Sequence, residues 1–245
     1  MSLDFSLTGR RALVTGASTG IGQAIAVGMA EAGATVVCVD RAACEETVAR
    51  IAAEGGRAAQ VVLDLTKRGA IDKLMAEAGD VDILVNCAGI IRRGDELDPD
   101  IFADVVDINL TGSMRVCAAA RPLLARSETG AIVNTASVLT FRGGGLVPGY
   151  SASKGGIGQL TKSLAIAYAD DGIRVNAVAP GWIATPLTQA LRDDPARSEP
   201  ILSRTPMKRW GRPEDVVGGV LFLCSPAAGF VTGAILPIDG GYLTT

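Results

Sequence analysis

Short apolar runs and longer amphipathic stretches alternate along this chain. Runs rich in Val, Ala, Leu and Ile occupy 10–15, 35–40, 57–65, 81–86, 130–137 and 173–180, and a last one, GAILPIDGG, closes the sequence. Each is of strand length and ends at Gly, Asp, Asn, Ser or Pro, which predicts β-strands buried on both faces. Helical patterns lie between them: one after TGASTGIG reaching Gly33, then AACEETVARIAAEGG, and a segment ending near Ala78. A long one follows from Pro99 to Arg126, another from near Tyr150 to Asp171, and a last one from Pro213. Strands alternating with helices at this spacing specify a doubly wound, Rossmann-like α/β fold with a parallel sheet of about seven strands. Nothing divides the chain, so 1–245 reads as a single domain. The stretch 186–212, rich in Pro, Arg and Asp, is too long for a simple connector and predicts a flap over a substrate.

Sheets of this kind bind ligands outside the carboxyl ends of their strands. Those ends carry TGASTGIG, Asp40, Asp64, NCAG, Ser137 and the Pro180–Gly181 pair. In TGASTGIG, Gly16, Gly20 and Gly22 stand between a strand and a helix, where backbone N–H groups can approach a pyrophosphate. The spacing is GxxxGxG rather than the common GxGxxG, but the strand-to-helix context is that of a dinucleotide loop. Asp40 ends the second strand, where a carboxylate accepts hydrogen bonds from an adenosine ribose and repels a 2′-phosphate. That favours NAD, whereas the adjacent Arg41 would suit NADP. Asp64 ends the third strand and either bonds an adenine amine or caps a turn.

Composition removes several classes of function. Apolar residues make up 48% of the chain and aromatics only 4%, so small aliphatic side chains must build the core. A net charge of −3 offers no electrostatic footprint for nucleic acid or an anionic membrane. The N-terminal MSLDFSLTGRR has no basic region followed by an apolar core, so no signal peptide is expected. No apolar run approaches the ~18 residues of a membrane helix, and a cytoplasmic protein is expected. Cys38, Cys44, Cys87, Cys117 and Cys224 form no CxxC pair and read as free thiols. The chain contains no histidine. That excludes Ser-His-Asp and Cys-His catalysis and histidine-based zinc sites, and no metal site is expected. Proton transfer falls to Tyr, Lys, Asp or Glu.

Within GYSASKGG, Tyr150 precedes Lys154 by one helical turn, so the two share a face with Cβ atoms ~5–6 Å apart. A lysine ammonium ~5 Å from a phenol, at an effective dielectric of ~20, contributes about 3 kcal/mol, or about two pKa units. With the positive charge of an oxidised nicotinamide, that would bring Tyr150 toward neutrality, where a general base works well. Burial opposes the shift.

The segments FSLTGRRALVTGASTGIG, NCAG, Asn109, Ser137, YSASK, PGWIATP and IDGG, in this order, resemble the short-chain dehydrogenase/reductase family in its single-domain form. The resemblance spans the whole chain. It implies an NAD(P)-dependent oxidoreductase, usually a homotetramer, acting on a small molecule. Gly16, Ser18, Thr19, Gly20, Ile21 and Gly22 would line the pyrophosphate, Asp40 and Arg41 the adenosine ribose, and Asp64 and Leu65 the adenine. Asn86, Ala88 and Gly89 would lie against the cofactor ribose, and Pro180, Gly181, Ile183 and Thr185 would position the nicotinamide. Asn109, Ser137, Tyr150 and Lys154 would form the catalytic tetrad. Ser137 and Tyr150 would hold the substrate oxygen, Lys154 the cofactor ribose, and Asn109 a water leading to solvent. The sequence departs from the family's NNAG at Cys87, which is expected to loosen the strand ends slightly. Thr19 stands where NADP-preferring members often carry Arg or Lys, in agreement with Asp40.

GIIRRGDE (89–96), LTFRGGGLVPGY (139–150) and RWGRPED (209–215) should rim the substrate pocket, and they resemble the sugar-acid branch of the family. An anionic sugar acid would need a guanidinium. Arg92 and Arg93 are adjacent, so in an extended loop only one enters the pocket. Arg93 is the expected contact, with Arg142 as a second. The alternatives are a 3-oxoacyl-thioester reductase and a non-catalytic dinucleotide-binding protein on the same fold. The carbon oxidised and the physiological direction stay open.

Overall fold

In the computed structural model, which describes residues 4–245, the apolar runs form one seven-stranded, all-parallel sheet. The chain runs β1 (Arg11–Thr15), α1 (Gly20–Glu31), β2 (Thr35–Asp40), α2 (Glu45–Ala53), β3 (Arg57–Val62), α3 (Arg68–Ala78) and β4 (Ile83–Asn86). It continues through α4 (Pro99–Val106), α5 (Ser113–Leu124), β5 (Ala131–Thr135), α6 (Pro148–Ala167) and β6 (Arg174–Pro180). Two short helices follow, α7 (Gln189–Arg192) and α8 (Pro195–Arg204), then α9 (Pro213–Cys224) and β7 (Ile235–Ile238). The strand order is β3-β2-β1-β4-β5-β6-β7. It reverses between β1 and β4, so a crevice opens at their carboxyl ends.

Both faces of the central strands are buried, as their unbroken apolar runs require. Ile25, Met29, Val216 and Val220 of α1 and α9 pack on Val14, Val36 and Val85 on one face. Leu74, Val116, Leu124 and Leu164 of α3, α5 and α6 pack on Leu13, Leu84 and Ile132 on the other. The parallel register sets Thr15 opposite both Val39 and Asn86, and Asn86 opposite Asn134. The residues that follow are thereby delivered to one rim of the sheet.

The expected helix over 99–126 is interrupted. Between α4 and α5 the chain makes a π-helical turn, Asp107–Gly112, that contains Asn109. The Arg115 guanidinium brackets it with two bonds to Asp107, of 2.8 and 3.2 Å. The helix expected to reach Asp171 ends at Ala167, and a 3₁₀ turn covers Ala169–Asp171. The stretch 186–212 holds a 3₁₀ turn (Pro186–Thr188), α7 and α8, and Ile183 forms an isolated parallel bridge with Gly211. No helix among the described residues is long and apolar enough to cross a membrane.

Candidate active site

A cleft of about 380 Å³ opens at the β1–β4 reversal, lined by the glycine loop, Asp40, Arg41, Asp64, Leu65, Ala88, Gly89, Tyr150, Lys154 and Thr185. Its floor is tightly built. Gly16 has φ +71°, and a Cβ there would lie 2.6 Å from Ala88 N. A Cβ on Gly22 would lie 2.0 Å from Gly16 O. No side chain caps α1 from Thr19, so its first N–H groups remain open to an anion. These features fit a dinucleotide whose pyrophosphate rests on α1.

Asp40 also serves the loop itself. Its Oδ2 accepts from Ser18 N–H (3.1 Å) and Ser18 Oγ–H (2.8 Å), while Oδ1 accepts from Ala42 N–H (3.2 Å). Asp64 Oδ1 caps the next turn, accepting from Thr66 N–H and Oγ–H at 2.9 Å each. These bonds hold the Asp64 carboxyl below its usual range. Both acids line the cleft in addition to these structural duties.

Four of the expected cofactor contacts do not line the cleft. Asn86 is buried with its side chain turned away from the cleft, and its Nδ2 donates to Asn134 Oδ1 (3.0 Å) and Cys117 Sγ (3.2 Å). Asn134 in turn donates to Thr161 Oγ1 (3.0 Å), so this chain of amides ties β4 to β5 and α6. The strand ends are therefore held despite Cys87, whose N–H donates to Thr15 Oγ1 (3.1 Å). Ile183 packs into the core beneath α1 and α9, and neither Pro180 nor Gly181 lines the cleft. Thr185 does, against Gly20.

Tyr150 and Lys154 line this cleft, Ser137 hydrogen-bonds the Tyr150 side chain, and Asn109 and Lys154 both flank Gly89. The Lys154 Nζ lies 5.5 Å from the centre of the Tyr150 ring and donates to Thr135 O at 2.7 Å. A single hydroxyl links the serine to the lysine. Thr140 Oγ1 accepts from Ser137 N–H (3.3 Å) and donates to Lys154 O (2.8 Å). The Asn109 side chain fastens the loop after β4, accepting from Ile90 N–H (2.8 Å) and donating to Ile90 O (2.9 Å). Its Nδ2 also donates to Ser153 Oγ (3.1 Å), and Ser153 donates to Tyr150 O (2.7 Å). The Asn109 side chain is thus a brace between the loop after β4 and the start of α6. The π turn is what aims it, as π turns do at many functional sites.

Burial outweighs the lysine in setting the tyrosine's protonation. It pushes the Tyr150 phenol up to about 12, against the hydrogen bond with Ser137 and the charge of Arg93, while Cys87 and Glu96 push the same way as burial. Burial also brings the Lys154 ammonium down to about 8. A lysine half neutralised near pH 8 has little charge left to stabilise a phenolate at higher pH. Lys154's share in the expected lowering of the Tyr150 pKa, which the charge of an oxidised nicotinamide was to complete, is smaller than expected because burial opposes it.

Of the expected substrate contacts, Arg93 is half-buried while Arg92 is exposed. Burial and the neighbouring Arg197 both lower the Arg93 pKa, and Tyr150 and Glu96 act on it in the opposite sense. Arg142 is a correction: its guanidinium lies 5.6 Å over the Tyr242 ring and donates to Thr245 O (3.4 Å), away from Tyr150. Arg197 on α8 and Glu96 are neighbours of the site that sequence reasoning missed. Both sit in stretches expected to border the substrate, 89–96 and 186–212, but no spacing rule marks either residue within them. Among the described residues no cluster of His, Cys, Asp and Glu could hold a metal ion.

The sequence profile of the family described as enoyl-(acyl carrier protein) reductase matches residues 16–243. The 2-dehydro-3-deoxy-D-gluconate 5-dehydrogenase of Escherichia coli is 43% identical over 246 residues, covering 98% of this chain and 97% of its own. A solved Agrobacterium tumefaciens protein, assigned as a 2-deoxy-D-gluconate 3-dehydrogenase and holding NADP, is 47% identical with a TM-score of 0.93 over the whole of both chains. A gluconate 5-dehydrogenase from Burkholderia cenocepacia, solved with NADP and tartrate, is 39% identical with a TM-score of 0.92, covering 99% of this chain and 98% of its own.

Proposed function

The chain belongs to the short-chain dehydrogenase/reductase family of nicotinamide-dependent oxidoreductases, and on that footing we propose that it interconverts a secondary alcohol and a ketone on a small anionic sugar acid. The observation that carries this reading is the pair Tyr150 and Lys154 in the cleft, with Ser137 hydrogen-bonded to the Tyr150 side chain and Arg93 close enough to Tyr150 for their charges to interact. The sugar-acid names of the relatives, and the tartrate in one of them, support an anionic hydroxy acid.

When bound, the nicotinamide dinucleotide supplies the hydride acceptor or donor. Asp64 and Leu65 would hold its adenine, the glycine loop its pyrophosphate, and Lys154 and Thr185 its nicotinamide half. Ser137 and Tyr150 fix the substrate oxygen between them. In ketone reduction Tyr150, which its surroundings keep protonated, gives its proton to that oxygen. In alcohol oxidation the same phenol must first lose its proton and then takes the one from the alcohol. Lys154 stabilises the phenolate as far as its own charge survives, and Asn109 holds the loop that carries Gly89 and Ile90. Asp40 favours NAD, because its carboxylate lines the cleft where a 2′-phosphate would have to sit. NADP bound to two relatives supports the other choice, with Arg41 as the counter-charge.

The segment 186–212 acts as the substrate flap. The assembly is a homotetramer, testable by light scattering. Five free cysteines suit the reducing cytoplasm. The deciding experiment is an absorbance assay over sugar acids, neutral polyols and acyl thioesters with both cofactors, run beside Tyr150→Phe. The variant should bind dinucleotide and lose ~10²–10⁴-fold in turnover. Turnover close to wild type would remove Tyr150 from the mechanism.

A further inference from the structure

Glu96 is the only acidic side chain fully buried among the described residues, at 1% exposure, and nothing above uses it. It lies in the loop between β4 and α4. Its Oε1 accepts from Arg92 N–H (2.8 Å) and its Oε2 from Tyr150 N–H (2.7 Å). One carboxylate thereby joins the backbone next to Arg93 to the backbone of the tyrosine, two segments 54 residues apart.

Local structure explains why the bond falls there. Tyr150 is the third residue of α6, Pro148 is the first, and the preceding Val147 offers no side-chain cap. The open N–H groups of that helix end need an acceptor, and a carboxylate is favoured at this pole of the helix. Glu96 supplies it from another part of the chain. Gly149 leaves room for the approach: a Cβ there would lie 3.3 Å from Oε2.

We propose that Glu96 is a positioning residue that couples substrate reading to proton transfer, holding the loop of Arg93 and the start of the Tyr150 helix in one fixed relation. The inference rests on the reading of Tyr150 as the proton-transfer group, and it extends that reading to a residue outside the tetrad. Two short bonds from one buried carboxylate fix where the helix that carries the phenol starts relative to the Arg93 loop. Its charge matters as well as its reach. The groups acting on the Tyr150 phenol are Ser137 after β5, Cys87 after β4, Arg93 and Glu96 on the loop, and Lys154 on its own helix. Glu96 raises the phenol's pKa, so removing its charge must lower it.

The test uses Glu96→Gln in the full chain, which keeps the shape but removes the charge and turns one acceptor into a donor. Ultraviolet titration of the phenols, with Tyr150→Phe as the blank, needs no substrate and should show the Tyr150 midpoint lowered. Turnover with D-gluconate and NAD should fall about 10- to 100-fold in kcat, because small misplacements of reacting groups cost that much. NADH affinity, read by fluorescence, should stay at the wild-type value. Gly149→Ala presses on the same carboxylate from the helix side while keeping its charge. Its Cβ also meets the Phe102 backbone and ring at 3.3 Å, so a thermal melt accompanies it; it should lower kcat and leave the phenol midpoint unchanged. Wild-type kcat in Glu96→Gln overturns the inference, as does an equal loss of kcat and NADH affinity. Full turnover in Tyr150→Phe would instead sink the function proposed above, whatever Glu96→Gln does.

Discussion

Replacing Arg93 with alanine separates recognition of the substrate's charge from the chemistry. The guanidinium is half-buried, and no ion pair engages it among the described residues. Glu96, which acts on it electrostatically, has both oxygens bonded to backbone N–H groups. Arg197 pushes the Arg93 pKa down from α8, so two positive groups face each other without a shared anion. A substrate carboxylate between them would relieve that repulsion and accept charge-assisted bonds from both. Losing one such bond costs about 1.5–3 kcal/mol, a roughly 10- to 150-fold fall in kcat/KM. Arg197 remains in the variant, so the loss should sit toward the lower end. The assay measures kcat/KM for a sugar acid and its neutral polyol analogue in wild type, Arg93→Ala, Arg197→Ala and the double variant. The acid should suffer far more than the polyol in each single variant, and the two losses should not add, because both arginines hold one group. Equal losses on acid and polyol would refute the reasoning.

Three further outcomes follow from the site. Asp40→Ser should raise kcat/KM with NADP relative to NAD, since the repelling carboxylate goes and Arg41 stays; a wild type that already prefers NADP would show that Arg41 dominates. Because burial holds Tyr150 up toward about 12, alcohol oxidation should climb with pH into the alkaline range, whereas ketone reduction, which uses the protonated phenol, should hold steady through neutrality. Initial rates in both directions across pH check this, and an oxidation optimum below neutral pH would contradict it. Asn86→Ala should leave dinucleotide affinity unchanged in a binding titration. It leaves the buried oxygen of Asn134 with only the long contact from Cys117 Sγ (3.9 Å) and should cost about 1–3 kcal/mol, or about 2–4 °C of Tm for each kcal/mol, by calorimetry.

Much of the fold was legible because its signals are local and repeated. Apolar runs such as 81–86 and 130–137 have no polar face to place toward solvent, so they could only be interior strands of a parallel sheet. The glycine loop and the Tyr150–Lys154 spacing were legible for the same reason: each is a short pattern whose geometry follows from one element. What escaped depends on long-range context. Asn86 looks like a cleft residue by its place after a strand, yet the partner that turns it inward, Asn134, comes from the neighbouring strand. The π turn around Asn109 has no compositional mark within an otherwise helical pattern. Lys154 was expected to govern the Tyr150 pKa, but the opposing burial is a property of the packed site and has no counterpart in spacing. Arg142 was placed by its loop, and the ring that captures it, Tyr242, lies near the far end of the chain.

The bracing of the inner cleft also bears on how such a protein diversifies. Ser137, Lys154 and the start of the Tyr150 helix are fastened to strand ends and to one another through Thr135, Thr140, Ser153 and Glu96. None of these bonds reaches into α7 or α8. On the proposed reading, in which 188–212 covers the substrate and Tyr150 moves the proton, mutational drift in that stretch can therefore reshape what is accepted without disturbing the bracing of the proton-transfer groups. New specificities become accessible by single steps that each leave a working catalyst. Changes in the bracing set have no such freedom, since one altered hydroxyl there displaces two reacting groups together.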